Sequence, residues 1–239
     1  MMHINIIFED DCLAVVEKPA GLPVYPAKNA NYKPQIINCK TLSEIVECKW
    51  HGSEPAHRLD NDTSGIMLIA KTKEAFEALR KQFDDGTVHK EYMALVLGET
   101  PAEGTIDTPV IHDPKSKKRM KVAEKLIKSG SKMIQGGQEA RTEFKLVKKY
   151  LGGRFSLLRV TIKTGVRHQI RVHLASIGHP LVGDRLYQNG RQRERDDKDI
   201  TRQFLHASHL GFKHPKNGKW MDLSSQLPPE LDNALTKIG

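Results

Sequence analysis

The sequence predicts a globular fold that combines β-strands and α-helices, and three observations support this class. The chain has 239 residues, of which 38% are hydrophobic and 28% are charged, so it can bury a sizeable core. Apolar residues alternate with polar ones in several short segments, as in strands that bury one face. Elsewhere they recur at helical spacing after capping residues. Because no internal repeat or interdomain linker interrupts the chain, residues 1–239 are predicted to form a single domain.

The first elements follow from short-range signals. Residues 4–8 and 13–18 are rich in apolar and β-branched side chains, which predicts two strands joined by an acidic turn. Thr41 and Glu44 have the spacing of a capping box. They predict a short helix near residues 42–48.

The middle of the chain alternates between buried and exposed segments. Residues 27–40 are polar without periodicity and are predicted to be a surface loop. The apolar run of residues 66–70 predicts a buried strand. Thr72 is a predicted cap for a helix that ends near Asp84. Alternation in residues 89–98 predicts another strand.

The second half begins with a predicted β-hairpin of residues 142–150 and 154–162. Residues 166–177 have an apolar stripe at helical spacing, which predicts a helix with Arg167 and Arg171 on one side. The remaining predictions are a charged surface segment, two closing strands and a terminal helix: residues 189–203, 204–212, 219–223 and 227–238.

Positive charge is concentrated in a finger-like insertion at about residues 112–139, the basic segment. Its basic residues are Lys115, Lys117, Lys118, Arg119, Lys121, Lys125, Lys128 and Lys132. A solvated hairpin tip and a finger that closes over a phosphate backbone explain this pattern equally well. The net charge of +9 favours polyanionic partners, nucleic acid before an acidic membrane.

The cysteines indicate a reducing compartment. Cys12, Cys39 and Cys48 form no CxxC pair and no zinc-type cluster. The N-terminus reaches acidic residues before a signal-peptide apolar region could form, and no apolar run approaches the roughly 18 residues of a membrane span. These observations predict a cytoplasmic protein without a membrane anchor.

The stretch His57–Gly65 is the main candidate for chemistry, because it places charged side chains directly before a buried strand. Asp60 is either a turn-forming aspartate or a catalytic carboxylate. The second interpretation requires a cation that keeps the carboxylate ionised and oriented, and Arg58 and Arg171 are the candidates. Tyr92 is either a core tyrosine or a residue that stacks on a base.

Motifs for cofactors and metals are missing from the sequence. It contains no P-loop and no G-x-G-x-x-G, so nothing supports a nucleotide cofactor. His57, His168, His173 and His179 lack the spacing of a ligand set, and hydrogen-bonding roles are favoured for them. No metal and no cofactor are therefore predicted.

Several motifs, taken together, resemble one family. They are His57-Arg58-Leu59-Asp60 with Asp62-Thr63-Ser64-Gly65; Glu9-Asp10-Asp11 with Lys18-Pro19-Ala20-Gly21; Lys90-Glu91-Tyr92; His168-Gln169-Ile170-Arg171-Val172-His173; Gly178-His179-Pro180; Gly183-Asp184-Arg185-Leu186-Tyr187; and Leu205-His206-Ala207. In this order they resemble the RluA-type RNA pseudouridine synthases over nearly the whole chain.

The resemblance implies an α+β fold with a bent, mostly antiparallel mixed sheet, flanking helices and a central catalytic cleft. It implies isomerisation of uridines in ribosomal or transfer RNA, without a cofactor, with Asp60 as the catalytic carboxylate. Arg58 would fill the space left by the flipped uridine, Tyr92 would stack on the base, and Arg171 would pair with Asp60. Ile170, in the same block, would contact the substrate.

RNA contacts are expected from Lys117, Lys118, Arg119 and Lys121, and the chain is expected to be a monomer. Two departures from the family pattern affect these expectations. Gly165-Val166-Arg167 stands where Gly-Arg-Thr is usual, so no role passes to Arg167. The catalytic pattern begins near residue 4, so the small RNA-binding domain of many members is expected to be missing. Which uridine reacts, and whether Asp60 attacks the sugar or removes a proton, stays open.

Two other functional classes remain open at this stage. One is a catalytically idle RNA-binding or chaperone protein on the same scaffold. The other is a nucleoside glycosidase, which needs a second carboxylate, and Asp62 is the near candidate.

Overall fold

A computed structural model describes residues 4–26, 40–123, 137–194, 196 and 199–239. The predicted loop at residues 27–40, except Lys40, lies outside the described residues. So does the part of the basic segment that carries Lys125, Lys128 and Lys132.

The described strands are β1 Asn5–Glu9, β2 Leu13–Lys18, β3 Glu54–Pro55, β4 Ser64–Ala70, β5 His89–Leu97, β6 Glu103–Asp107, β7 Val110–His112, β8 Met120–Val122, β9 Arg141–Tyr150, β10 Phe155–Ile162, β11 Leu205–Lys213 and β12 Trp220–Ser224. The described helices are α1 Leu42–Lys49, α2 Lys73–Asp84, α3 Gln169–Ser176, α4 Gly190–Glu194 and α5 Pro229–Ile238. Among these described ranges, no helix is long and apolar enough to cross a membrane.

The chain divides into two compact units. Unit 1 comprises Met1–Lys90 and His206–Pro228, and unit 2 comprises Glu91–Leu205 and Pro229–Gly239. In unit 1 the strand order is β1-β2-β4-β11, with β3 beside β4 and β12 beside β11. Strands β4 and β11 are parallel, while the other pairs of this unit are antiparallel. The prediction of a single domain over residues 1–239 remains a prediction.

Strand β4 is the centre of unit 1, because all seven of its residues are buried. At Gly65 the backbone has φ +125° and a Cβ atom would collide with the backbone of Ala207. Only glycine permits this close approach of β4 to β11. Helix α1 begins with the predicted capping box of Thr41 and Glu44, and Thr72 caps α2 as predicted.

Unit 2 contains the antiparallel strand order β5-β10-β9-β6. The predicted hairpin of β9 and β10 is confirmed, and a 3-10 turn at Leu151–Gly153 connects its strands. Strands β7 and β8 form a second, short hairpin at the start of the basic segment. The α+β class and the mostly antiparallel pairing are therefore confirmed, whereas the predicted central cleft remains a prediction.

The helix predicted for residues 166–177 is shorter in the structure, because α3 begins at Gln169. His168 has a left-handed backbone with φ +56°. The Gln169 side chain holds the preceding turn: its Oε1 atom accepts hydrogen bonds from the Val166 N–H and the Thr164 hydroxyl. Arg167 therefore precedes the helix, and the prediction that it shares a helix side with Arg171 was wrong.

Candidate active site

Asp60 lies in a tight turn directly before β4. The N–H of Thr63 donates to the Asp60 carbonyl oxygen at 3.1 Å, which closes the turn. The Asp60 side chain is partly buried, whereas Asp62 is exposed. Because the turn leads into a fully buried strand, the Asp60 carboxylate is attached to one of the most rigid parts of unit 1.

The buried side chain of Lys18 stabilises this turn through hydrogen bonds to backbone carbonyl oxygens. Its Nζ atom donates to the carbonyl oxygens of Asn61 at 2.9 Å, Leu22 at 2.9 Å and Pro19 at 2.8 Å. Gly21 N–H also donates to the Asn61 carbonyl oxygen at 2.9 Å. An ammonium with only 1% exposure needs such acceptors, since an unpaired buried charge is very costly. Lys18 is thus a positioning residue for the Asp60 turn that sequence patterns did not assign.

A buried hydrogen-bond chain fixes the first residue of β4. Ser64 Oγ lies 2.9 Å from His206 Nδ1, and His206 Nε2 lies 3.3 Å from the Ser225 carbonyl oxygen. The Ser225 hydroxyl donates to Glu17 at 2.6 Å. These hydrogen bonds link β2, β4 and β11 next to the turn that carries Asp60. His206, from the motif Leu205-His206-Ala207, therefore has a structural role.

His57 stabilises the same region as a neutral imidazole. Its Nε2 atom accepts a hydrogen bond from Leu68 N–H at 3.0 Å, and its ring stacks on Phe83 with the centroids 4.7 Å apart. Burial, followed by the positive charges of Lys90 and Arg80, lowers the pKa of His57 from 6.5 to about 3. A neutral acceptor is what the Leu68 N–H requires.

This shift predicts a pH-dependent stability. The pKa of His57 is lower in the folded than in the unfolded chain, so its stabilisation is present above pH 6.5 and is lost as pH falls from 6.5 towards 3. Urea unfolding should show a loss of up to about 1.4 kcal/mol per pH unit in this window. In His57→Gln, which keeps an acceptor but cannot titrate, this dependence should be reduced. Equal pH profiles for the two proteins would contradict the assignment.

Arg58, also in unit 1, is exposed beside the Asp60 turn. An exposed guanidinium on a rigid turn can enter a nucleic-acid stack, as its predicted role demands. The other predicted substrate contacts belong to unit 2. Tyr92 lies on β5 opposite Val160 of β10 and is 8% exposed, and Ile170 of α3 is 4% exposed. Their contacts with substrate remain predictions.

Arg171 of α3 is held by a carboxylate that the sequence patterns did not select. Its Nε and one terminal nitrogen donate to the two oxygens of Asp184 at 2.7 and 2.9 Å. Both side chains are buried. The same carboxylate accepts the N–H groups of Leu186 and Tyr187. The geometry fixes the plane of the guanidinium, which is how bidentate pairs confer orientation. The predicted pairing of Arg171 with Asp60 remains a prediction.

Tyr187 connects Arg171 to the basic segment. Its ring centroid lies 5.1 Å from the Arg171 guanidinium and 5.5 Å from that of Arg119. Its hydroxyl accepts from Met120 N–H at 2.9 Å and lies 2.8 Å from His168 Nδ1. Tyr187 therefore connects the β7–β8 hairpin to the start of α3 and to Arg171. The sequence patterns gave Tyr187 no role of its own.

The hairpin presents its cations outward. Lys117, Lys118 and Arg119 are exposed, while Lys121 on β8 is partly buried. The Asp113 N–H donates to the Arg119 carbonyl oxygen at 3.0 Å and closes the tip. These described residues form a hairpin with an exposed tip, and both interpretations of the basic segment, the solvated tip and the RNA contact, remain predictions.

The remaining histidines of the motifs have hydrogen-bond partners. His173 lies 2.8 Å from the Thr142 hydroxyl and 2.9 Å from the Thr108 carbonyl oxygen, and His179 lies 2.9 Å from the Leu97 carbonyl oxygen. Hydrogen-bonding roles, as favoured from the sequence, are thus confirmed for them.

A separate group of Asp10, Cys12 and His214 places three potential ligand atoms within 4.8 Å of one another. His214 Nδ1 accepts from Lys216 N–H, so Nε2 carries the proton of the neutral ring and donates to Asp10 at 2.6 Å. A metal would need that Nε2 unprotonated. We assign the group to hydrogen bonding between two turns.

Comparison with known proteins identifies a family for this chain. A family model described as RNA pseudouridylate synthase matches residues 12–176. An uncharacterized RNA pseudouridine synthase of Chloroflexus aurantiacus is 37% identical over 224 residues, which cover 92% of this chain and 65% of the relative. The ribosomal large subunit pseudouridine synthase D of Nitrosomonas europaea is 37% identical over 245 residues, covering 98% of this chain and 65% of the relative. The chain thus spans about 65% of the length of these relatives.

Two solved structures are similar in fold. Human RNA Pseudouridylate Synthase Domain Containing 1 has a TM-score of 0.73 and 25% identity, covering 97% of this chain and 87% of that chain. Human RNA Pseudouridylate Synthase Domain Containing 4 has a TM-score of 0.75 and 24% identity, covering 98% of this chain and 92% of that chain. This second similarity supports the fold only. The family match spans Arg58, Asp60, Tyr92, Ile170 and Arg171.

Proposed function

The chain belongs to the RNA pseudouridylate synthase family, and on that premise we propose that it isomerises uridines in RNA to pseudouridine. The observation that carries the proposal is the Asp60 turn, which Lys18 and the buried strand β4 hold in a fixed position. Other enzymes likewise support a reacting carboxylate on a rigid element. The protein is proposed to act in the cytoplasm, as a monomer and without a cofactor.

The proposed reaction rearranges the glycosidic bond without changing composition. The bond from the ribose to the uracil nitrogen breaks, the base rotates, and the ribose carbon forms a bond to carbon five of uracil. The hydrogen at carbon five leaves as a proton, and the freed uracil nitrogen takes up a proton, so the composition is unchanged. Asp60 acts at the ribose, either as a nucleophile or as a base. The detached uracil must stay in place, so water and escape routes have to be excluded. Tyr92, stacked on the base, and Ile170 would hold the detached uracil in place and exclude water.

The target uridine must leave its stack to reach Asp60. Base flipping costs a few kcal/mol, and a side chain that fills the gap recovers part of this. Arg58 is suited to this role because it is exposed beside Asp60. Arg171, oriented by Asp184, is proposed to contact the substrate.

The RNA class is proposed to be ribosomal or transfer RNA. The relative from Nitrosomonas europaea is named for the ribosomal large subunit, which makes ribosomal RNA the first candidate to test. Pseudouridine maps of both RNA classes, from cells with and without the gene, should differ at specific uridines. Identical maps would contradict the proposed function.

The basic hairpin is proposed to bind RNA phosphates through Lys117, Lys118, Arg119 and Lys121. Replacing the first three with alanine should weaken RNA binding and flatten its dependence on salt, because fewer counterions are released. The slope of log K against log salt should fall by roughly 0.7–0.9 for each phosphate that the variant no longer neutralises. Replacing Lys73, Lys81 and Lys237 in other exposed positions serves as a charge-matched control. An unchanged slope in the hairpin variant would contradict RNA binding by the hairpin and would favour its interpretation as a solvated tip.

A further inference from the structure

Trp220 is an exposed aromatic residue outside the site described so far. It is the first residue of β12, it lies opposite Lys213 of β11, and 49% of its surface is exposed. Exposed apolar surface can mark an interaction site, although single exposed apolar residues are common. Its surroundings therefore decide whether the exposure is meaningful.

The indole ring rests on a glycine. A Cβ atom added to Gly211 would lie only 2.6 Å from Trp220 Cζ2 and 3.3 Å from the Cβ of His89. Gly211 and Trp220 are on adjacent strands of one hairpin, one diagonal step apart. The missing side chain lets the ring pack against the β11 backbone, so part of its surface is supported and the rest faces solvent.

The strand below the ring is itself held in place. The Gln82 side chain of α2 donates to the Lys213 carbonyl oxygen and accepts from the Lys213 N–H, both at 2.8 Å. On the same face, the His209 side chain pairs with the Asp222 carboxylate. The ring is thus presented by a fixed backbone rather than by a loop.

The hairpin that carries Trp220 is rich in lysine. Lys213, Lys216 and Lys219 are exposed in the hairpin that carries Trp220. The connecting turn is ordered by hydrogen bonds from His214 N–H to the Lys219 carbonyl oxygen at 2.8 Å and from Gly218 N–H to the His214 carbonyl oxygen at 2.9 Å. An exposed aromatic face flanked by lysines has the composition of a site for single-stranded nucleic acid.

We propose that Trp220 stacks on an unpaired base of RNA, while Lys213, Lys216 and Lys219 contact the neighbouring phosphates. The proposal rests on the proposed function only in taking RNA as the partner. It adds that the chain holds a single-stranded segment at a surface separate from the Asp60 turn. A duplex offers no free base face, so this surface discriminates unpaired from paired RNA.

Tryptophan fluorescence can test the proposal directly. The chain has two tryptophans, so Trp50→Phe leaves Trp220 as the reporter. A single-stranded oligoribonucleotide of about ten nucleotides, within the site sizes that such proteins cover, should quench its emission. The same oligonucleotide in a duplex should not. Absence of quenching by the single strand would overturn the proposal.

Two substitutions separate stacking from a structural role. Trp220→Leu still covers Gly211 but has no aromatic face, whereas Trp220→Phe retains one. Affinity for the single strand, measured by anisotropy, should fall about 5- to 150-fold in Trp220→Leu, which corresponds to ~1–3 kcal/mol per stacked base. Trp220→Phe should lose much less. Wild-type affinity in a folded Trp220→Leu protein would show that the ring only covers the glycine, and would overturn the proposal.

Failure here is distinguishable from failure of the proposed function. The oligonucleotide assay requires no turnover, and Asp60→Asn should bind the single strand as the wild type does. If Trp220→Leu weakens binding of the single strand but the protein isomerises no uridine, the proposed function fails and the Trp220 site stands. If it isomerises uridine and Trp220→Leu binds normally, the Trp220 site fails alone.

Discussion

Asp60→Asn is expected to abolish the release of tritium from RNA labelled at carbon five of uracil. The amide can neither attack the ribose nor accept a proton, and loss of such a group lowers turnover by roughly 10⁴-fold or more in other enzymes. The substitution keeps the side-chain shape. The turn itself should persist, because Thr63 N–H donates to the backbone carbonyl oxygen of Asp60.

Asp62→Asn is the matched control for this experiment. It removes the same charge from the same turn, but the Asp62 side chain is exposed. Turnover should be largely retained in that variant, and RNA affinity should be retained in both. Undiminished turnover in Asp60→Asn would contradict the assignment of Asp60.

The product of the reaction distinguishes the other functional classes. Free uracil from the wild-type protein would indicate a glycosidase, for which Asp62 would have to serve as the second carboxylate. A cellular effect that survives in Asp60→Asn would indicate an idle RNA-binding protein. The family match does not favour that alternative.

Asp184→Asn is expected to have the largest effect on stability. The Arg171 guanidinium would stay buried while its bidentate carboxylate is replaced by a neutral amide. Removing one partner of a buried ion pair typically costs about 3–5 kcal/mol. Urea unfolding should report this loss as a lower midpoint with little change in slope. Turnover should fall as well, since the orientation of Arg171 would no longer be fixed.

A double-mutant cycle isolates the pair from other effects of the change. Arg171→Met combined with Asp184→Asn should be more stable than the sum of the single losses predicts. The exposed pair of Lys81 and Asp85 on α2 provides the control, and Asp85→Asn should change the unfolding midpoint little. Additive losses at Arg171 and Asp184 would mean that the two side chains do not stabilise each other.

Local patterns in the sequence predicted many of the elements. The capping box of Thr41 and Glu44, and the alternation of β9 and β10, act over a few residues and do not depend on the rest of the fold. The selection of Asp60 over Asp62 came from the resemblance to the family. Spacing alone left both carboxylates eligible.

The prediction failed where a hydrogen-bonding side chain overrides the local periodicity. The apolar stripe of residues 166–177 continues the helical spacing past the true start of α3. Gln169 binds Val166 N–H and Thr164 instead, and His168 adopts a left-handed backbone. A side chain that competes in this way with the first helical turn leaves no trace in hydrophobic spacing.

The sequence by itself determined the family and the α+β class, because short motifs and periodicities carry that information. The choice of Asp60 as the reacting carboxylate remains a prediction. Only the tertiary structure decided what holds those groups in place. Lys18 reaches Asn61 across 43 residues, and Met120 reaches Tyr187 across 67. Asp184 became the partner of Arg171 through the path of the loop after α3. Such contacts depend on packing between distant segments, and a polar residue in a sequence does not reveal which distant group it will satisfy.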